Sequence, residues 1–415
     1  MQSNQISKLE LIQAQISFIP EGWKLDKVGK ALVIRNNFRK PISKEVRAIM
    51  PGNYPYYGPT KIQGYISEYE QDGTYALIGE DGDHFLKYSK MRQTQFISGK
   101  CTVNNHAHII DSSEQCESEW FYIFFKHRNI TNFLSRQGAG RFKLNKATLE
   151  KLPLLIPPIN EQRKIAKILS TWDKAIGTTE RLIDNSKQQK KALMQQLLTG
   201  TKRLLDDSGK TFEDEWEQVK LGDALTKISN GLTYDSRAVK GLPVSRIETI
   251  STGKVNHKKV GYAPDVQRTR NFKLLNGDIL YSNINSLKHI GRVAYFEDDR
   301  TLYHGMNLLL LRAPDSLDSK FIFYLLSSSI GKAFAKSHAK SSVNQASIST
   351  ADIKSCSVKL PVLDEQQKIT SVLTNADKEI ELLEQQLADL KQEKKALMQQ
   401  LLTGKRRVKI GKEAV

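Results

Sequence analysis

Lys190-Lys191-Ala192-Leu193-Met194-Gln195-Gln196-Leu197-Leu198-Thr199-Gly200 returns letter for letter as Lys394 through Gly404, at an offset of 204 residues. The offset holds without a gap back to Pro157/Pro361. It passes through Glu161-Gln162/Glu365-Gln366, Lys164-Ile165/Lys368-Ile369, Asp173-Lys174/Asp377-Lys378 and Ile176/Ile380. A self-match this long marks an internal duplication, and its period is far too long for a solenoid. Each copy reads as one long helix. Asn160 and Asp364 follow a proline-containing strand end and suit an N-cap, with Gln367 at capping-box distance from Asp364. Gly200 and Gly404 stand where a helix commonly ends in a left-handed residue.

Between these ends the apolar positions step by four and three. The first copy gives Ile165, Leu169, Trp172, Ile176, Thr179, Ile183, Ser186, Lys190, Leu193 and Leu197. The second gives Ile369, Leu373, Ala376, Ile380, Leu383, Leu387, Leu390, Lys394, Leu397 and Leu401. This is a coiled-coil seam over about five heptads, although a solvated helix with one buried stripe is the plainer reading of either copy. A seam needs a partner, and the other copy is tethered in the same chain. Lys190 and Lys394 interrupt both seams at the same place. Either they are polar residues that fix register, or their stems pack while the ammonium reaches water.

The pattern predicts boundaries. A polar lead covers 1–17, with helical spacing at Ile6, Leu9, Ile12 and Ile16. A first unit covers 18–156, a central helix 157–204, a second unit 205–360, a C-terminal helix 361–408 and a tail 409–415. The units open alike, at Trp23-Lys24-Leu25-Asp26-Lys27-Val28-Gly29 and Trp216-Glu217-Gln218-Val219-Lys220-Leu221-Gly222. In the first, Tyr75–Gly79, His106–Ile110 and Leu152–Ile156 read as strands, and Asn53–Pro59 reads as an aromatic loop. A helix from Glu119 runs to about Arg136, followed by a glycine-rich loop. In the second, Ile279–Asn283 and Leu308–Arg312 read as strands and Lys320 opens the matching helix. Leu144/Ile348 and Leu149/Ile353 keep the 204-residue offset as core positions. The interiors, about 30–115 and 223–315, hardly match. The expected fold is therefore α+β: two mixed, strand-rich domains separated by two long helices that form an intramolecular antiparallel coiled coil, with pseudo-two-fold internal duplication.

The chain has 415 residues, 26% of them charged, and no apolar run long enough to span a bilayer. The polar N-terminus does not read as a signal peptide. Cys101, Cys116 and Cys356 form no paired framework, which suits a reducing cytoplasm. Lys and Arg exceed Asp and Glu by 63 to 45, and such an excess on a globular chain points to a polyanion partner.

Catalytic motifs fail one by one. Gly209-Lys210-Thr211 resembles the end of a phosphate loop, but Leu204 stands where its first glycine belongs. There is no glycine-rich nucleotide fingerprint, no adenine-methylating Asn/Asp-Pro-Pro motif, and no correctly spaced nuclease acid set around Pro314-Asp315 or Pro264-Asp265. His106 and His108 could share a strand face, but no further ligand completes a metal site. Asp81-Gly82-Asp83-His84 reads as a turn with too few oxygens for calcium. What remains is clustered basic residues in the divergent interiors: Arg35, Arg39, Lys40, Lys61, Lys90 and Arg92 in the first, and Lys258, Lys259, Arg268, Arg270 and Lys273 in the second. Lysine neutralises phosphate, whereas arginine also reads base edges. Each residue alone is more readily a plain surface charge; it is the clustering that points to nucleic acid.

With these residues in view, the chain resembles the specificity subunit of type I restriction–modification enzymes. The Trp23/Trp216 openings, the Pro-x-x-x-Glu-Gln-x-Lys-Ile entries at Pro157 and Pro361, and the paired helix ends carry the resemblance. So does Asn276-Gly277-Asp278-Ile279-Leu280 with Asn307-Leu308-Leu309. It implies two target recognition domains, each reading one half of a split double-stranded DNA site. It also implies helices that dock two modification (methyltransferase) subunits carrying S-adenosylmethionine, and restriction (translocase/nuclease) subunits that use ATP and Mg. No cofactor and no catalysis would belong to this chain. A coiled-coil assembly scaffold with incidental charge is the alternative reading, and a DNA-reading fragment of a nuclease is a third.

Overall fold

The computed structural model describes residues 6–137, 141–235, 237–342 and 345–410. The expected glycine-rich loop lies partly outside them at 138–140, as do the first five residues of the lead and the last five of the tail. The chain divides into two compact units, Met1–Thr179 with Gln386–Val415, and Glu180–Gln385. The two long helices are Ile159–Leu197 and Leu363–Leu401, 39 residues each. Each unit thus contains the N-terminal part of one and the C-terminal part of the other.

Both units are built on one frame. In the first, the opening strand Lys24–Lys27 pairs antiparallel with the closing strand Pro153–Ile156. In the second, Glu217–Lys220 pairs with Ser357–Leu360 in the same way. After each opening strand comes a single helical turn, Val28–Ala31 or Leu221–Ala224, that packs on a short helix, Lys146–Lys151 or Thr350–Ser355. Gly29 and Gly222 permit that approach. A Cβ there would lie 2.8 Å from Glu150 and 2.9 Å from Lys354. Leu144, Leu149, Ile348 and Ile353 are buried as expected.

The interiors differ. The first unit holds a six-stranded sheet in the order Val33–Ile34, Ala107–Asp111, Gln71–Gly79, Thr94–Val103, Pro51–Tyr57 and Ile62–Ile66. Two-residue alternation splits its side chains. Ala76 and Ile78 face the helix Ser118–Phe125, which inserts Trp120, Phe121, Phe124 and Phe125, while Leu77, Ile97, Val103 and Ile109 form a second cluster. The second unit has a four-stranded antiparallel sheet in the order Lys227–Asn230, Leu309–Arg312, Ile279–Tyr281 and Val293–Tyr295, packed against Ser319–Ser327. Asp278 of the Asn276-Gly277-Asp278 turn is buried and receives both Arg312 (2.6 and 2.7 Å) and the Leu275 amide (2.8 Å).

Several expectations need correction. Asn160 and Asp364 are not N-caps; the helices start earlier, at Ile159 and Leu363. The Pro158 carbonyl already accepts from the Glu161 and Gln162 amides (2.8 and 3.0 Å), and no Asp364–Gln367 capping box forms. Asn53–Pro59 is not a loop, because Pro51–Tyr57 is a strand. Its register shifts accommodate the prolines, which cannot donate to a regular ladder. The helix from Ser118 stops at Phe125, and Arg136 falls in the short strand Ser135–Gln137. In the lead, the helix Lys8–Gln13 leaves Leu9 and Ile12 exposed. It is Ala14 and Ile16 that enter the core, with the Ala14 carbonyl held by Arg128 (2.7 and 3.1 Å).

The helix ends match expectation. Gly200 and Gly404 have φ of 69° and 67°, a left-handed conformation that costs a side chain-bearing residue about 1–2 kcal/mol. The long helices also contact each other within both units. In the second, Lys187 meets Glu384 and Lys190 meets Asp377, so one number rises as the other falls and the pairing is antiparallel. The seam does not end as a free coiled coil. Ile165 and Leu169 sink into the first unit's core with Leu397 and Leu401, and Leu193 and Leu197 join the second's with Ile369 and Leu373. Ile183 and Ile380 are buried, whereas Trp172, Ile176, Leu383, Leu387 and Leu390 are half-buried.

Candidate nucleic-acid interface

The repeated letters build one latch, twice. In the first unit the fully buried Glu161 carboxylate accepts from Trp23 Nε1 (3.0 Å) and from Nε and Nη2 along one edge of the Arg407 guanidinium (2.8 and 2.7 Å). In the second, Glu365 accepts from Trp216 Nε1 (3.2 Å) and Arg203 (2.7 and 2.8 Å). Arg407 and Arg203 also bond the carbonyls of Glu21 and Asp214. The neighbouring glutamine completes the joint. Gln162 bonds the Pro157 carbonyl (2.8 Å) and accepts from the Glu117 amide (2.9 Å). Gln366 does the same with Pro361 (2.8 Å) and Asp318 (3.0 Å). The buried charge of each glutamate is therefore paired and fully bonded, the condition under which such burial is tolerated.

The seam lysines fix register through the repeated aspartates. Lys394 Nζ lies 2.5 Å from Asp173, and Lys190 lies 2.5 Å from Asp377. The environments differ. Asp173 takes a second lysine, Lys126, at 3.1 Å, while Asp377 takes the Tyr324 hydroxyl at 2.8 Å. Burial holds both Lys126 and Lys394 below the ordinary lysine range, against the pull of Asp173. The Asp173 carboxyl stays below its usual range. Burial opposes this, but the hydrogen bond from Lys394 and the charge of Lys126 prevail.

The basic residues of the interiors fall into two kinds. Arg35 pairs with Asp111 (3.2 Å), Arg39 with Glu80 (2.6 Å), Lys40 with Glu70, and Arg270 with Asp265 (2.7 Å). Among the described residues, Lys61, Lys90, Arg92, Lys258, Lys259, Arg268 and Lys273 make no ion pair, and all are exposed. Two of the first unit's candidates meet one loop, and a third lies two residues from a side chain that the same loop holds. The Lys40 amide bonds the Val103 carbonyl, Arg39 bonds the Asn105 carbonyl, and the Asn104 side chain bonds Gln63, two residues past Lys61 (3.1 Å). Arg92 belongs elsewhere, near Tyr122 and Lys126. In the second unit Lys258 and Lys259 lead directly into the strand Gly261–Ala263, and Lys273 bridges to Tyr303.

Other candidates have structural roles. His108 is buried; its Nε2 donates to the Leu144 carbonyl (2.6 Å) and its Nδ1 accepts from Asn36 (2.8 Å). His106 pairs with Asp81 (3.0 Å). Among the described residues no His, Cys, Asp and Glu group could hold a metal ion, and no helix is long and apolar enough to cross a membrane. Arg47 and Gln63 stand outside the basic clusters that the sequence singles out, on either side of the stretch Asn53–Pro59. They lie on the helix Lys44–Ala48 and the strand Ile62–Ile66, and the Arg47 guanidinium bonds the Gln63 carbonyl (2.7 Å).

The family model described as "Type I restriction modification DNA specificity domain" matches residues 20–186 and 213–392. The type I restriction enzyme MjaVIII specificity subunit of Methanocaldococcus jannaschii is 26% identical over 413 residues, covering 94% of both chains. The putative MjaX specificity subunit of the same organism is 40% identical over 195 residues, covering 46% of both, so that match spans about half of that relative's length. The crystal structure of the type I system S subunit from M. genitalium aligns over 92% of this chain and 99% of that one, with a TM-score of 0.61 at 14% identity. That last likeness is one of fold.

Proposed function

The chain belongs to the type I restriction–modification DNA specificity family, and on that premise we propose that its two units each read one half of a split double-stranded DNA site. The observation that carries this reading is a frame duplicated down to its latches around interiors that share no sheet plan. An identical frame with different contents suits two readers presenting different surfaces to one kind of partner. The long helices would dock two methyltransferase subunits, to which restriction subunits are added, and the chemistry would reside on those partners. Cations that are unpaired among the described residues of both interiors, Lys61, Lys90 and Arg92 with Lys258, Lys259, Arg268 and Lys273, would neutralise phosphates. The helix length would set the unread spacer. Four residues inserted in each helix add roughly 6 Å, at most about two base pairs at 3.4 Å each.

The test is a map of adenine methylation in the native genome with and without this chain. Loss of methylation at one bipartite, asymmetric motif supports the proposal. If no motif depends on the chain and a co-purified methyltransferase binds DNA without sequence preference, the chain is an assembly scaffold and the proposal fails.

A further inference from the structure

The sheet edge in the first unit is an exposed two-stranded ribbon, Pro51–Tyr57 with Ile62–Ile66, flanked by the helix Lys44–Ala48. An exposed polar side chain is ordinarily free to rotate. Exposed Gln63 on this ribbon is held, and so is the half-buried Arg47 on the flanking helix. Arg47 donates to the Gln63 carbonyl (2.7 Å) and from Nε to the Ser43 carbonyl (3.4 Å), stands 4.7 Å over the Tyr56 ring and, among the described residues, makes no ion pair, although its charge is felt by Glu45. Gln63 is exposed, yet its Oε1 is fixed by the Nδ2 of buried Asn104 (3.1 Å). Asn104 is itself locked, its amide bonding the Tyr57 carbonyl (3.0 Å) and its Oδ1 accepting from the His106 amide (2.9 Å). The Gln63 amide group lies over Gly58, where a Cβ would come within 2.4 Å of its nitrogen. The Gly58 carbonyl is in turn held by Gln95 (2.8 Å).

Resting on the reading of the first unit as a DNA reader, we propose that this ribbon enters the major groove together with its flanking helix, and that Gln63 of the ribbon and Arg47 of the helix are the base-reading side chains. The groove admits a two-stranded ribbon, arginine pairs in fork fashion with guanine, and glutamine pairs with adenine. A side chain fixed in advance loses less conformational freedom on binding. The surroundings suit the same partner. Lys44 and Lys61 are exposed and, among the described residues, unpaired, and Lys100 stands over the Tyr69 ring. Ile49 is 83% exposed and Tyr65 55%, apolar surface that no described residue covers and that thymine methyl groups would meet. The acids nearby are engaged, Glu70 and Glu68 by Lys40, and Glu45 by its own amide, by Ser43 and by the charge of Arg47.

The experiment uses the full chain assembled with its methyltransferase subunits. Binding is selected from two DNA libraries, each randomised in one half of the wild-type site. Arg47→Ala, Arg47→Lys and Gln63→Ala are each expected to lose about tenfold or more of the preference at one or two positions of a single half-site. Preference in the other half should stay intact, which shows that the fold and assembly survive. Arg47→Lys should lose the preference while retaining the salt dependence of binding, because the charge remains. Unchanged preference in both halves, or loss in both together, overturns the assignment; the latter would mark a structural role or a protein-docking face. If wild type selects no sequence from either library, it is the two-reader proposal that fails.

Discussion

Replacing Arg407 with Met removes both charged donors to the buried Glu161 and leaves that carboxylate only the Trp23 indole. Breaking a buried pair by deleting one partner costs about 3–5 kcal/mol. The Arg407 side chain, however, is 43% exposed, so water can reach part of the gap and screening lowers the figure. We expect about 2 kcal/mol, a fall in melting temperature of about 4–8 °C for a unit of this size. Arg203, only 21% exposed, should cost more in the matching Arg203→Met variant, about 3 kcal/mol. Scanning calorimetry with amide hydrogen exchange locates the damage. Arg407→Met should deprotect the segments around Trp23 and Glu161, and Arg203→Met those around Trp216 and Glu365. The double variant Glu161→Gln/Arg407→Met should recover part of the loss, because the uncompensated charge is gone. A double variant no more stable than the single one, or deprotection spread equally over both units, would refute this account of the latch.

Asp173→Asn leaves Lys126 and Lys394 without a counter-charge and should cost about 3 kcal/mol near neutral pH. Both lysines are held below their ordinary range, so the folded state binds fewer protons there and stability should recover as pH rises toward 10. In the wild type the Asp173 contribution is present above the ordinary carboxylate range and should fade only as pH falls below about 4; urea titrations at stepped pH check both signs. Gly404→Ala should destabilise more than Gly200→Ala. Both pay for a left-handed backbone, but a Cβ at 404 would lie 2.2 Å from Pro20 while at 200 nothing is nearer than 3.4 Å. Burial pushes the thiol of Cys116 up to about 12 and those of Cys101 and Cys356 up to about 11. All three should resist a thiol reagent at neutral pH until the chain opens, and rapid labelling of folded protein would contradict the burial.

Repetition and periodicity determined much of this protein. The offset pairs Pro157/Pro361 to Gly200/Gly404 located two helices, and the four-three step identified the faces that are buried. These are local properties, since a helix presents every third or fourth residue to one side whatever surrounds it. The same holds for Gly29 and Gly222, whose equivalence is visible in the Trp-x-x-x-x-Val/Leu-Gly openings. Only the tertiary structure decided what the repeated polar letters do. Glu161 and Arg407 are 246 residues apart, and no spacing announces that they form one buried pair. It also decided which cations are spent: Arg39 and Lys61 look alike as letters, but Glu80 neutralises one and nothing described neutralises the other. Arg47 and Gln63 become a fixed pair only through Asn104 and Tyr56, contacts made by strands folding back on one another. Charge and hydrogen bonding act through space over a few ångströms, so they belong to neighbours that the chain order does not list.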